Sequence, residues 1–284
     1  MIQYDRIVEK VADTLVKSGS SFRPDQINKY REAIEKETNP QSKWILEQIL
    51  EDALVADRNR SPLCDDTGIP HLFLEIGKKK TLTGEMINAI FEGVKTGLQQ
   101  LPGRPMAVKG EDEERLAQSA GLYEDSGALL PAPIQLCLVD EEVIRLHIIM
   151  EGGGPAIRGR SYRVFHKHSA ETVIDQIVEW GKEAVAQLGC SPCTLAVGVG
   201  RSHYEASALM MQAQVYGRYD VQSKMEQTIT DQVNEAHIGA LGLHGDYSVL
   251  ATFLRVGPQR ASGVRIVCIR PCCCFEPRIS SVEL

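Results

Sequence analysis

The stretch "VRIVCIRPCCCFEPR" holds three adjacent cysteines, Cys272, Cys273 and Cys274, just beyond Cys268. Neighbouring side chains of an extended segment point in opposite directions, so packing alone is a weak reason for such a run. Cys64, Cys190 and Cys193 offer the same thiol chemistry elsewhere, each at the edge of a strand-like run beside Pro or Gly. Three readings fit these thiols. Zinc favours two close pairs of ligands, and Cys190-Ser-Pro-Cys193 with the late run would supply them. A thiol–disulfide couple would use Cys190 and Cys193 near a helix start, yet Cys193 opens a strand pattern. An iron–sulfur cluster with three protein ligands would take one cysteine from each of three loops and leave one iron open. Spacing alone does not choose between zinc and iron.

The remaining chemistry-bearing residues are more dispersed. His71, His147, His166, His168, His203, His237 and His244 form no helical pair around a glutamate, and the chain has no Gly-x-Ser-x-Gly elbow and no P-loop. Gly198-Val199-Gly200 lacks the third glycine of a dinucleotide fingerprint, because position 203 is His. Ser202 followed by Glu205 has the spacing of a capping box, which puts a helix N-terminus right after those glycines. Such an end suits a carboxylate or phosphate, although most caps only start helices. The glycines of "EGGGP" predict a turn where the backbone approaches a ligand or another backbone closely.

The elements that must position these groups follow from periodicity. Ile7, Val11 and Leu15 form an apolar stripe at helical spacing, and "RPDQINKYREAIEKE" and "SKWILEQILEDALVADR" continue the helical pattern. A strand is expected at "HLFLEIG", then a helix at "TGEMINAIFEGVKTGLQQ" and a long loop from Leu101 to Pro133. Two strands, "IQLCLVD" and "VIRLHIIM", are joined by an acidic turn. The helix "SAETVIDQIVEWGKEAVAQLG" leads to a strand, glycine turn and helix from Cys193 onward. A further helix is expected over "DVQSKMEQTITDQVNEAHIGAL", leading to "GLHGDYSVLATFLRV" and the last strand before the cysteines. The fold class is α/β, in the sense of mixed α+β: a helical N-terminal part (1–60) followed by a mixed α/β part (61–284) in one domain, 1–284.

Composition is that of a globular chain: 284 residues, 43% hydrophobic and 24% charged. The net charge of −7 argues against nucleic acid or an anionic membrane as partner, while leaving room for a small anionic substrate. No apolar stretch reaches membrane-spanning length, and the charged N-terminus lacks a signal-peptide core. The expected location is cytoplasmic, where eight cysteines serve as thiols, metal ligands or catalytic groups rather than disulfides.

At "LCDDTG" the chain resembles the Cys-x-Asp-Thr-Gly motif of the iron–sulfur hydro-lyases, the class I fumarases and L-tartrate dehydratase α subunits. "EGGGPAIRGRS" is similar to the triple-glycine turn of that family, "GCSPCTLAVGVG" to its Cys-Pro-Pro strand and glycine turn, and "GLHGDYS" to its Gly-Leu-x-Gly turn. A late cysteine follows a final strand, so the landmarks come in family order over nearly the whole chain.

The resemblance implies a four-iron four-sulfur cluster with one open iron, held by loops at strand ends through Cys64, Cys190 and Cys272, with Cys273 second for the last position. Cys190 is preferred to Cys193 because proline follows it by two, and Cys272 keeps the family's distance from the Gly-Leu-x-Gly turn. Asp66 stands at the position of the proposed acid. Asp65, Arg104 and Gly153 are implied in substrate binding. The implied activity is hydration or dehydration of a four-carbon dicarboxylate, fumarate/malate or tartrate/oxaloacetate, by an oxygen-sensitive lyase. In fused relatives a second domain supplies the base, so the resemblance implies an α subunit that needs a separate β subunit, in an α2β2-type assembly. Glu151 replaces the family's lysine before the glycines, and the asparagine-rich pattern around residues 120–127 is eroded. Arg201, Ser202 and His203 also depart from the family's commoner glycine form and are candidates for specificity. The rival reading is a non-catalytic zinc-binding structural or assembly protein using the same cysteines.

Overall fold

The computed structural model describes residues 2–284; Met1, included in the helical 1–60 region, lies outside the described residues. Its helices are α1 (Ile2–Ser20), α2 (Pro24–Lys36), α3 (Pro40–Asn59), α4 (Gly84–Gln100), α5 (Asp112–Ala117), α6 (Gly153–Arg158), α7 (Ala170–Leu188), α8 (His203–Tyr216) and α9 (Lys224–Asn234). Its strands are β1 (Ile69–Gly77), β2 (Gln135–Val139), β3 (Ile144–Glu151), β4 (Arg160–Phe165), β5 (Cys193–Gly200), β6 (Val249–Val256), β7 (Val264–Cys272) and β8 (Arg278–Glu283). The mixed α/β class is as expected. The contacts divide the chain into two compact units: residues 2–22, 53–152 and 278–284 form the first, residues 23–52 and 153–277 the second.

The first unit carries a sheet of order β2-β1-β3-β8. β1 pairs antiparallel with β3 and parallel with β2, so the acidic turn after β2 does not close a hairpin. Period-two alternation puts Leu72, Leu74, Leu146 and Ile148 on one face, where they bury against Val11, Leu15, Ile90 and Val94 of α1 and α4. Gly93 and Gly97 let those two helices touch, because a Cβ at either would lie under 3 Å from α1 atoms. β8, which alternation in a six-residue tail did not announce, closes the edge against β3.

The second unit carries a sheet of order β4-β7-β5-β6. β5 is parallel to β6 and antiparallel to β7, with α8 and α9 forming the crossover. One face packs Leu195, Val197 and Ile269 against Ile177 and Val185 of α7 and Ile229 and Val233 of α9. The other packs Ala196, Cys268 and Cys272 against Ala206 and Met210 of α8. Gly198 makes this second contact possible: a Cβ there would sit 2.0 Å from Ala206 O and 2.3 Å from Met210 N. The glycines after Cys193 therefore serve helix–strand approach.

Among the described residues, no helix is long and apolar enough to cross a membrane.

Candidate active site

In the first unit, the turn from Cys64 to Gly68 joins α3 to β1. It is tied down at both ends. The Leu63 N–H donates to Gly19 O at 2.9 Å, and the Arg278 guanidinium donates from Nη1 to Asp66 O at 2.8 Å and from Nε to Met150 O at 3.2 Å. Arg278 is only 1% exposed, so these charge-assisted bonds form away from water. Gly68 has φ +87, and a Cβ there would lie 2.7 Å from Arg278 Nη2 and 2.9 Å from the Glu151 carbonyl. Glycine meets both the dihedral and the space.

The turn gathers four of the predicted residues. Cys64 is half-buried, with its Sγ 3.6 Å from Asp65 Oδ1. Arg104 Nη1 is 3.5 Å from Asp65 Oδ2, and its Nη2 is 3.9 Å from Asp66 Oδ1. These separations leave the guanidinium, itself 56% exposed, able to swing toward an incoming anion. Gly103 packs on Thr67, whose hydroxyl is buried without a hydrogen-bond partner. Glu151 ends β3 nearly buried, 3.7 Å from His71 Nε2. The same face of the sheet carries a charge network absent from the sequence reading: Glu75, buried, meets Arg145 at 2.9 Å and His147 at 3.5 Å. Burial outweighs that carboxylate and lowers the His147 pKa from its ordinary value, while its Nδ1 lies 2.7 Å from Ser281 Oγ.

In the second unit, Cys190 is exposed in the turn before β5. That turn is bracketed by neighbours: Ser191 Oγ donates to Gly239 O at 2.6 Å, the Leu241 N–H to Ser191 O at 2.9 Å, and the Cys193 N–H to Ser248 O at 3.0 Å. The Gly239–Ser248 turn is in turn held by Glu37, whose buried carboxylate accepts the N–H groups of Asp246 and Tyr247 and of Asn39. Gly245 allows this, since a Cβ would lie 2.8 Å from Glu37 Oε2.

The three late cysteines part company. Cys272 is fully buried on the α8 face of β7, its Sγ 3.5 Å from Gln214 Oε1. Cys273 packs on the opposite face, against the cluster that contains Cys193, whose thiol burial keeps well above the ordinary range. Cys274 lies past the strand end, where its N–H donates to Cys190 O at 2.9 Å and its carbonyl accepts the Tyr30 hydroxyl at 2.6 Å. The alternation that makes three facing thiols unlikely in an extended run thus disperses them here.

Gly153, exposed, is the first residue of α6; the triple glycine opens a short helix rather than a plain turn. Ser202 caps α8 by accepting the Glu205 N–H, as its spacing predicts. The Glu205 carboxylate, however, accepts the Arg201 N–H at 2.6 Å and the Arg201 guanidinium at 2.9 Å, which lowers its pKa to about 2. The helix end already holds an anion from its own chain.

Arg278, Tyr30, Glu37 and the Arg270–Glu276 pair were missed in the sequence. Only the pair left a trace, an arginine and a glutamate flanking the cysteine run.

All eight cysteines are thiols rather than disulfide halves. Among the described residues, no three Cys, His, Asp or Glu side chains form a metal-sized group. Thiols are the donors that an iron–sulfur cluster takes; in the second unit Cys190 and Cys274 are joined through their backbones, and in the first Cys64 lies in the turn that Arg278 holds.

Residues 8–282 match the family model described as Fumarate hydratase (Fumerase). The chain belongs to the fumarate hydratase (Fumerase) family. Among similar proteins, the one named "Putative L(+)-tartrate dehydratase subunit alpha" of Methanocaldococcus jannaschii is 28% identical over 277 residues, 92% of this chain and 94% of that one. L(+)-tartrate dehydratase subunit alpha of Escherichia coli strain K12 is 24% identical over 274 residues, 94% of this chain and 88% of that one. The Cys64–Gly68 turn, the triple glycine, the Cys190 strand and the late cysteines all fall within the Fumerase match.

Proposed function

We propose that this chain is the α subunit of an iron–sulfur hydro-lyase that adds or removes water on a four-carbon dicarboxylate, fumarate/malate or tartrate/oxaloacetate. The observation that carries the reading is the Cys274–Cys190 backbone bond, in a chain whose family match extends almost end to end. The ligand set is Cys64, Cys190 and Cys274. In this proposal Cys274 takes the place that the resemblance gives to Cys272, whose sulfur lies 3.5 Å from Gln214 Oε1 on the α8 face. Cys273 gives way because it packs among apolar side chains on the other face.

The cluster, when bound, supplies an open iron acting as a Lewis acid on the substrate hydroxyl. The residues of this chain do the rest of the work assigned to an α subunit. Asp66, held by Arg278 through its own carbonyl, donates a proton to the departing hydroxide as the carbon–oxygen bond breaks. Arg104, with Asp65 keeping it near the turn, exchanges a weak ion pair for a substrate carboxylate. Gly153, without a side chain, leaves the entry to α6 open to the substrate. The proton at the neighbouring carbon goes to a base on a separate β subunit in an α2β2-type assembly, and the enzyme works in the cytoplasm away from oxygen.

The test is anaerobic purification with the β subunit, followed by iron and acid-labile sulfide assay and visible and electron-paramagnetic spectra with malate and with tartrate. A cluster signal that shifts with one diacid supports the reading and names the substrate. Stoichiometric zinc without sulfide overturns it in favour of a structural metal protein.

A further inference from the structure

Among the bonds that hold the turn carrying the late cysteines, four lie within the second unit. The Cys274 N–H donates to Cys190 O, and the Glu276 N–H closes the turn on Cys273 O, both at 2.9 Å. The Glu276 carboxylate receives Arg270 Nη2 at 3.0 and 3.2 Å. This ion pair is almost completely buried, with side chains 4% and 1% exposed. The fourth bond comes from α2: the hydroxyl of Tyr30, fully buried, donates to Cys274 O at 2.6 Å.

The chemistry of these bonds is unusual for a turn. Surface turns satisfy their carbonyls with water, at little cost. Here a phenol from a residue 244 positions away and a buried ion pair replace that water. A buried pair is weak evidence for stability, because desolvation offsets its attraction, so its use here is geometric.

We propose that Tyr30 and the Arg270–Glu276 pair are positioning residues: they fix the Cys272–Glu276 turn so that Cys274 stands beside Cys190 before any metal arrives. The inference rests on the reading of Cys190 and Cys274 as ligands only for its consequence, not for the anchoring itself. Prepaid order in ligand residues raises metal affinity and slows release. In this role Tyr30 acts through the carbonyl of a ligand residue.

The test compares Tyr30→Phe with Thr230→Val, which removes a different buried hydroxyl, the one donated to Thr252 at 3.0 Å between α9 and β6. Two readouts are taken on the complex with its β subunit. The first is amide hydrogen exchange of the 272–276 segment in metal-free protein. The second is the anaerobic rate of iron loss to a chelator, followed by visible absorbance. For Tyr30→Phe, loss of one buried hydrogen bond predicts exchange and iron loss about tenfold faster. Thr230→Val leaves both rates near wild type while lowering the melting temperature comparably. Arg270→Met, which strands a buried carboxylate, shows the larger exchange effect of the two turn variants.

Exchange and iron loss at wild-type rates in Tyr30→Phe overturn the inference. Equal acceleration by Thr230→Val overturns it as well, since the effect would then be general destabilisation. Wild-type protein without iron or sulfide overturns the functional reading alone; the exchange arm still supports or overturns the anchoring.

Discussion

The N–H of Cys274 donates to the carbonyl of Cys190 at 2.9 Å, joining the end of β7 to the turn before β5. Two residues 84 positions apart become neighbours through their backbones, and the identity of their side chains adds nothing to that bond. It separates Cys274 from Cys272, which lies within β7 opposite Thr194 and turns its sulfur into the core.

The first prediction concerns these thiols. Cys64→Ser, Cys190→Ser and Cys274→Ser each lose the iron of the anaerobically purified complex. Cys272→Ala keeps it, with a fall in stability of about 1 kcal/mol from the small cavity. Iron per chain decides the matter. Retention of iron in Cys274→Ser with loss in Cys272→Ala would restore the assignment to Cys272.

Asp66 and Arg104 are expected to separate in kinetics. Asp66→Asn removes the proposed proton donor and lowers kcat by about 10²–10⁴-fold, with little change in KM. Arg104→Ala removes a carboxylate partner and acts mainly on KM. Steady-state assays with each diacid read both. An Asp66→Asn enzyme with full kcat would remove that residue from proton transfer.

Arg278 supports the Cys64–Gly68 turn from below, through two carbonyls and complete burial. Arg278→Met leaves those carbonyls without their charged donor and lowers stability by roughly 2–3 kcal/mol. Urea denaturation measures the loss. A midpoint within error of wild type would show that the turn holds itself.

His147 makes the first unit sensitive to pH. Its folded pKa is lowered from the ordinary 6.5 because burial disfavours the charged ring. The unfolded chain therefore binds the proton more readily, so this contribution to stability is complete above pH 6.5 and is lost as pH falls toward the folded pKa. Denaturant midpoints between pH 5 and 8 should fall on the acid side in wild type and flatten in His147→Gln. An unchanged slope in that variant would assign the effect to other groups.

Much of the chemistry was legible in the sequence because it is local. "CDDTG" must turn between a helix and a strand, and that turn alone gathers Cys64, Asp65 and Asp66. Apolar spacing announced α1, α4 and α7, and the apolar run after Cys193 announced β5, because periodicity belongs to a single element. The Ser202 cap was equally local, but its anion-binding promise was not: Arg201 and Glu205 close on each other at the helix start.

Long-range choices lay outside the reach of the residues' order. Nothing in "IQLCLVDEEVIRLHIIM" tells β2 to cross β1 rather than pair with β3, since both strands carry suitable side chains and the register is chosen by the whole sheet. Likewise, three equal thiols in a row have no local feature to rank them. The order of residues names the carriers of sulfur, acid and guanidinium; only the folded chain brings the Cys274 N–H to the Cys190 carbonyl and sends Cys272 into the core. The physical reason is that a hydrogen bond across 84 residues depends on where β5 and β7 end in space, and on Tyr30 of α2 reaching the same carbonyl turn.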